Sequence, residues 1–166
     1  LCIGPPYYAR LAKWSVPEDR LEIAGAFRLS RAAECAFEVD APVFAALPFA
    51  GSVGTEMMAA IRAAAGNGVR FLVKPHPMLP MAFEDMPGLE KTDASLPDQA
   101  SVSAVLYAAS AVGLEAYFAG IPTLRFVADQ VVAIDILPEN VSVPSVGRDE
   151  LSSAFIDLPR PSPVPR

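Results

Sequence analysis

The sequence predicts an α/β fold: a doubly wound parallel sheet, preceded by a short β-α-β fragment. Three observations predict it. From Val43 onward, short apolar runs of strand length alternate with segments of helix length. Val43–Leu47 and Ala104–Ala108 are apolar throughout rather than alternating with polar residues, as strands covered on both faces are. Glycine and proline punctuate the junctions, at Pro48, Gly66-Asn67-Gly68, Gly120 and Pro122.

Taken in order, Leu1–Ile3 reads as the tail of a strand, and Pro5 or Pro6 opens a helix at its first turn. Tyr7, Tyr8, Leu11 and Trp14 recur at three- and four-residue spacing and give that helix an apolar face. Val16-Pro17-Glu18-Asp19 turns the chain into a short strand over Leu21–Ala24. Residues 28–42 mix charged and small side chains without periodicity, as a linker does, with a short helix over Ser30–Phe37 left open. Residues 43–157 carry the alternation. Val43–Leu47 is a strand, Gly51–Thr55 a glycine-rich turn, Glu56–Ala65 a helix, and Val69–Val73 the next strand. Met78–Met86 reads as one or two irregular helical turns, Leu89–Lys91 as a weak strand, and Leu96–Ser103 as a short helix.

Ala104–Val127 is the organising stretch: strand, turn, helix, turn, strand. Ser110 stands where an N-cap belongs, with its hydroxyl placed to accept from Val112 or Gly113. Gly120 stops the helix. Residues 100–124 approach a membrane span in length, but Glu115 lies near the middle, where an acid costs on the order of 2.5–3.5 kcal/mol. A strand–helix–strand unit is therefore expected, with no transmembrane segment. Ala128–Ile136 reads as helical, Val141–Val143 as a last strand and Arg148–Phe155 as a helix. Residues 158–166 form a proline-rich tail.

In the common doubly wound order, the strands run third, second, first, fourth, fifth, sixth. Counted from Val43, the first, second and fourth end at the Gly51–Thr55 turn, at His76 and at Ser110. These features then share one sheet edge and line one crevice.

Gly51 and Gly54 give G-x-x-G, without the glycine spacing or the later acid of a dinucleotide site, and no G-K-[ST] is present. Gly51, Ser52, Gly54 and Thr55 read either as an anion-binding turn before a helix or as a plain turn. His76 is the only histidine. It is either incidental or, with Lys74 two residues earlier, a phosphate contact. It cannot build a metal site with other histidines. Ser110 and Gly113 suit a phosphate at a helix start, with Glu115 one turn deeper beside a ribose. The alternative is a capped helix with Glu115 in a salt bridge.

The chain has 166 residues, is 52% hydrophobic and has a net charge of −6 from thirteen basic and nineteen acidic residues. This excludes general disorder and disfavours a nucleic-acid partner. Cys2 and Cys35, at no metal-like spacing, fit buried thiols in a reducing compartment. A start at Leu1 without a signal-peptide pattern leads to the expectation of a piece of a longer protein.

KPHP at 74–77, followed by YAASAVGLEAYFAGIPTL at 107–124, resembles the C-terminal, donor-binding lobe of GT-B glycosyltransferases. The likeness is to bacterial capsule and lipopolysaccharide enzymes, including His-Pro-motif sialyltransferases and polyglycerol-phosphate transferases. YYARLAKWSVPEDRLEIAGAFR resembles the end of the N-terminal lobe of such enzymes. The resemblance implies that residues 1–27 end an N-terminal lobe and 43–157 form a Rossmann-like, nucleotide-sugar-binding C-terminal lobe. It implies a transferase of surface-polysaccharide biosynthesis that takes its sugar from a nucleotide-sugar donor, with no further cofactor. Lys74, His76, Ser110, Gly113 and the Gly51–Thr55 residues would hold donor phosphate, and Glu115 the donor ribose. The earlier acid of the paired-glutamate motif is replaced by Tyr107.

A glycan or lipid-linked acceptor, a base on the rest of the N-terminal lobe and a cytoplasmic location are implied, with a peripheral place at the inner membrane left open. This fragment alone is expected to be inactive. A nucleotide-sugar epimerase or hydrolase of the same fold, and a non-catalytic carbohydrate-assembly module, are the alternatives.

Overall fold

The computed structural model describes residues 2–3, 5–24, 34–129, 131, 137, 141–156 and 158. The chain divides into two compact units, Leu1–Arg31 and Ala32–Arg166.

In the first unit, β1 (Cys2–Ile3) pairs in parallel with β2 (Ile23–Ala24), and α1 (Pro5–Lys13) makes the crossover. Prolines suit the start of α1 because amides in its first turn have no partner within the helix. Arg10 and Lys13 occupy its last turn, where positive charge complements the dipole. Ser15 then takes a left-handed φ of 62°, and the Arg10 guanidinium lies 5.8 Å from the centre of the Trp14 ring. Of the residues read as one apolar face, Tyr8 and Leu11 are half-buried, whereas Tyr7 and Trp14 are exposed.

The second unit is built on a six-stranded, all-parallel sheet. A separate parallel pair joins β3 (Ala36–Phe37) to β7 (Ser101–Val102). The large sheet holds β4 (Val43–Ala46), β5 (Phe71–Lys74), β6 (Leu89–Lys91), β8 (Ala104–Tyr107), β9 (Thr123–Phe126) and β10 (Ser145–Val146). Their spatial order is β10-β9-β8-β4-β5-β6. Counted from β4 and read from the β6 edge, this is third, second, first, fourth, fifth, sixth, the doubly wound order read from the sequence.

The two halves of the sheet are wound in opposite directions, so their helices fall on opposite faces. Helix α2 (Gly51–Gly66) packs Met57, Met58 and Ile61 against Ala45, Val73 and Leu106. Helix α3 (Val112–Ala119) packs with Phe44, Ala46 and Val105 on the other face. Every residue of β4 and β8 is buried, which explains why neither strand alternates in polarity. Buried Cys35 joins the α3-side core, and burial pushes its thiol up to about 11.

Helix ends follow local chemistry. Gly120 takes a left-handed φ of 70°, and Ile121 N–H donates to the Ala116 carbonyl at 3.0 Å, closing a Schellman motif. Gly68, at φ 94°, serves the same purpose after α2.

Several expectations are corrected. Gly51–Thr55 is not a turn before the helix but the start of α2, which begins five residues earlier than expected. Met78–Met86 is not helical: Leu79 N–H closes a tight turn on the His76 carbonyl at 2.9 Å, and Pro77, Pro80 and Pro87 have no amide to extend a helix. Leu96–Ser103 holds one 3₁₀ turn, Leu96–Asp98, and then β7. The last strand is Ser145–Val146 rather than Val141–Val143, with the Pro144 carbonyl accepting from Arg125 at 2.9 Å. Arg148–Phe155 forms successive turns rather than a helix. There the Ser153 hydroxyl donates to the Glu150 carbonyl at 3.1 Å, a local bond that competes with helix, and Ser152 accepts from the Asn67 amide at 3.1 Å. Within residues 28–42, Ala36–Phe37 is strand, and residues 28–33 lie outside the described residues. So do most of Ala128–Ile136 and, apart from Leu158, the tail. Among the described residues no helix is long and apolar enough to cross a membrane.

Candidate functional site

The topology brings three strand ends to one edge. Ala46 of β4 is in register with Lys74 on one side and Tyr107 on the other, so β5, β4 and β8 end level. His76 follows two residues after β5, Gly51 five after β4 and Ser110 three after β8. Neighbouring strands lie about 4.8 Å apart, so the ends of β5 and β8 are about 10 Å apart across β4. The strand order reverses between β4 and β8, which stay parallel, and in doubly wound sheets a crevice forms at such a switch point.

The start of α2 lies at this crevice. Its N-cap position is Ala50, which offers no side-chain acceptor. The first amide to bond within the helix is that of Gly54, which donates to the Ala50 carbonyl at 2.9 Å. The amides of Gly51, Ser52 and Val53 precede it and carry the positive end of a 16-residue helix. The Thr55 hydroxyl is turned back to the Gly51 carbonyl at 2.9 Å and is not presented to a ligand. Gly54 is buried beneath Met81 and Pro48.

His76 stands beside this helix start. Its Nδ1 accepts from the Met78 backbone N–H at 3.2 Å, so in the neutral ring the proton sits on Nε2. Phe49, between β4 and α2, meets the imidazole edge-on with ring centres 5.3 Å apart. Lys74 shares the strand end but donates to the Asp93 carbonyl at 2.6 Å, away from the crevice toward the loop after β6.

At the β8 end the N-cap position of α3 is Ala111 rather than Ser110; Ser110, one residue earlier, still holds the first amide of the helix, its Oγ accepting from Val112 N–H at 3.3 Å. The Gly113 amide donates to the Ser110 carbonyl at 3.1 Å, so it too is engaged within the turn. Gly113 is a glycine for packing. A Cβ there would stand 2.5 Å from Cζ of Tyr107, whose buried ring lies under α3. Glu115 is only 4% exposed and is held within the protein, which leaves little of its carboxylate for a ligand's hydroxyls.

The sequence reading missed Phe49. The available signal was a large aromatic directly after Pro48 at the end of a buried strand, where the chain has no core left to fill.

A cavity of about 480 Å³ lies at the opposite edge, where the strands begin, lined by Val43, Arg70, Ser103, Pro122 and Phe155 among others. Arg70 there is held by the Asp40 carbonyl. Among the described residues no cluster of His, Cys, Asp or Glu could hold a metal ion.

No protein-family model matches the chain, and no curated protein matches it significantly.

Proposed function

We propose that the Ala32–Arg166 unit is the donor-binding lobe of a GT-B glycosyltransferase that builds bacterial surface polysaccharide from a nucleotide-sugar. One observation carries the reading: an uncapped helix start and a histidine with Nε2–H meet at the switch point of a doubly wound sheet. Ligands of such sheets bind outside the carboxyl ends of the strands at that point. Helix amides and an imidazole N–H donor are the chemistry a phosphate needs.

In transfer, the bond from the anomeric carbon to the donor phosphate breaks, and negative charge grows on the departing phosphate. The α2 amides and His76 would stabilise that charge without rearranging. The base that activates the acceptor hydroxyl belongs to the rest of the N-terminal lobe, so the chain binds donor nucleotide without turning it over. Ser110, Gly113 and Glu115 support the fold of the crevice in this scheme rather than touch the donor.

Calorimetric titration of the chain with CMP, CDP, UDP and GDP tests the proposal. It predicts saturable binding of at least one nucleotide in the millimolar range or tighter. A folded sample that binds none of the four would favour a non-catalytic assembly module.

A further inference from the structure

We infer that Phe49 is a stacking platform for the base of the bound nucleotide, next to the phosphate contact at His76. The inference rests on the donor-binding reading above and adds to it a subsite for the base.

Phe49 is 63% exposed although it stands three residues after the end of a fully buried strand, past buried Leu47 and Pro48. An aromatic ring held in water forgoes the stabilisation of burial, and this one is not loose. The His76 ring meets it at 5.3 Å and 63°, an edge-to-face arrangement of the kind aromatic pairs prefer. His76 is itself tied by the bond from Met78 N–H to Nδ1. Leu79, in the same turn, lies against Gly51 at the start of α2. The corner therefore joins an exposed ring, an Nε2–H donor and a helix start.

A ligand that fits all three has a flat ring and a phosphate joined by a short linker, as a nucleoside phosphate does. Lys74, the cation at the β5 end, is engaged at Asp93, and the chain is acidic overall, so an anionic membrane surface does not fit. Every base offers a π-face, so stacking of this kind discriminates weakly between bases. The platform thus predicts similar affinities for CDP, UDP and GDP.

The test compares wild type with Phe49→Ala and Phe49→Trp, titrated with CDP, UDP, GDP and inorganic pyrophosphate. Phe49 is exposed, so neither change disturbs the core, and thermal melts check this. Phe49→Ala should weaken each nucleoside diphosphate about tenfold and pyrophosphate less than twofold, while Phe49→Trp should retain wild-type affinity. Wild-type nucleotide binding with no loss in Phe49→Ala, or an equal loss for pyrophosphate, overturns the platform and leaves the donor-binding reading standing. Failure of the wild type to bind any of the nucleotides overturns both.

Discussion

Helices α2 and α3 start at the same sheet edge, on either side of the switch point, and solve the problem of their first amides in opposite ways. At α3, Ser110 accepts from Val112 through its hydroxyl and from Gly113 through its carbonyl. At α2, Ala50 supplies no side-chain acceptor, and the amides of Gly51, Ser52 and Val53 precede the first intrahelical bond. A capped helix start is a stability device, and an uncapped one facing a crevice is available to an anion. The serine that looks most like a ligand contact in the sequence is the structural one. Under the proposed function, the glycine-rich segment beside His76 is the one that would hold a phosphate.

The two glycines should break along the same line. Gly113→Ala drives a Cβ to 2.5 Å from the Tyr107 ring, an overpacking that costs about 2–3 kcal/mol and lowers the melting temperature by roughly 5–10 °C. Glu115→Gln comes next. It removes the charge of a buried carboxylate that is held within the protein, for an expected loss of about 1–3 kcal/mol. Nucleotide affinity in a folded Glu115→Gln sample should stay within twofold of wild type. Ser110→Ala loses the bond to Val112 N–H and about 1 kcal/mol, again with little change in phosphate affinity. Smallest is Gly51→Ala, where the nearest atom to the new Cβ is Leu79 Cδ2 at an ordinary 3.4 Å, so stability holds or rises by about 0.4–1 kcal/mol. Chemical denaturation of the four variants measures the series.

The strand order was legible because β4, β5, β8 and β9 are short, mainly apolar runs bounded by turn residues, and winding rules then leave few arrangements. The end of α3 was legible in Gly120, which the left-handed cap requires. The start of α2 was not, because Gly51 and Gly54 read locally as a turn. Gly51 and Gly54 instead lie in the first turn of α2, whose intrahelical bonding begins at Gly54 N–H to the Ala50 carbonyl. The short β3–β7 pair escaped too, since two-residue strands carry no periodicity and form only when distant segments meet. At the site, His76 and Ser110 were identifiable as strand-end residues. Which groups they bond to is a matter of backbone amides, and side-chain patterns do not record those.

The most direct test of the contrast between the two helix starts is an amide ¹H–¹⁵N titration of the chain with UDP and with pyrophosphate. The account predicts that the amides of Gly51, Ser52 and Val53 shift progressively and saturate with both, while those of Val112 and Gly113 move little. Large shifts at Val112 and Gly113 with Gly51–Val53 unmoved would contradict it.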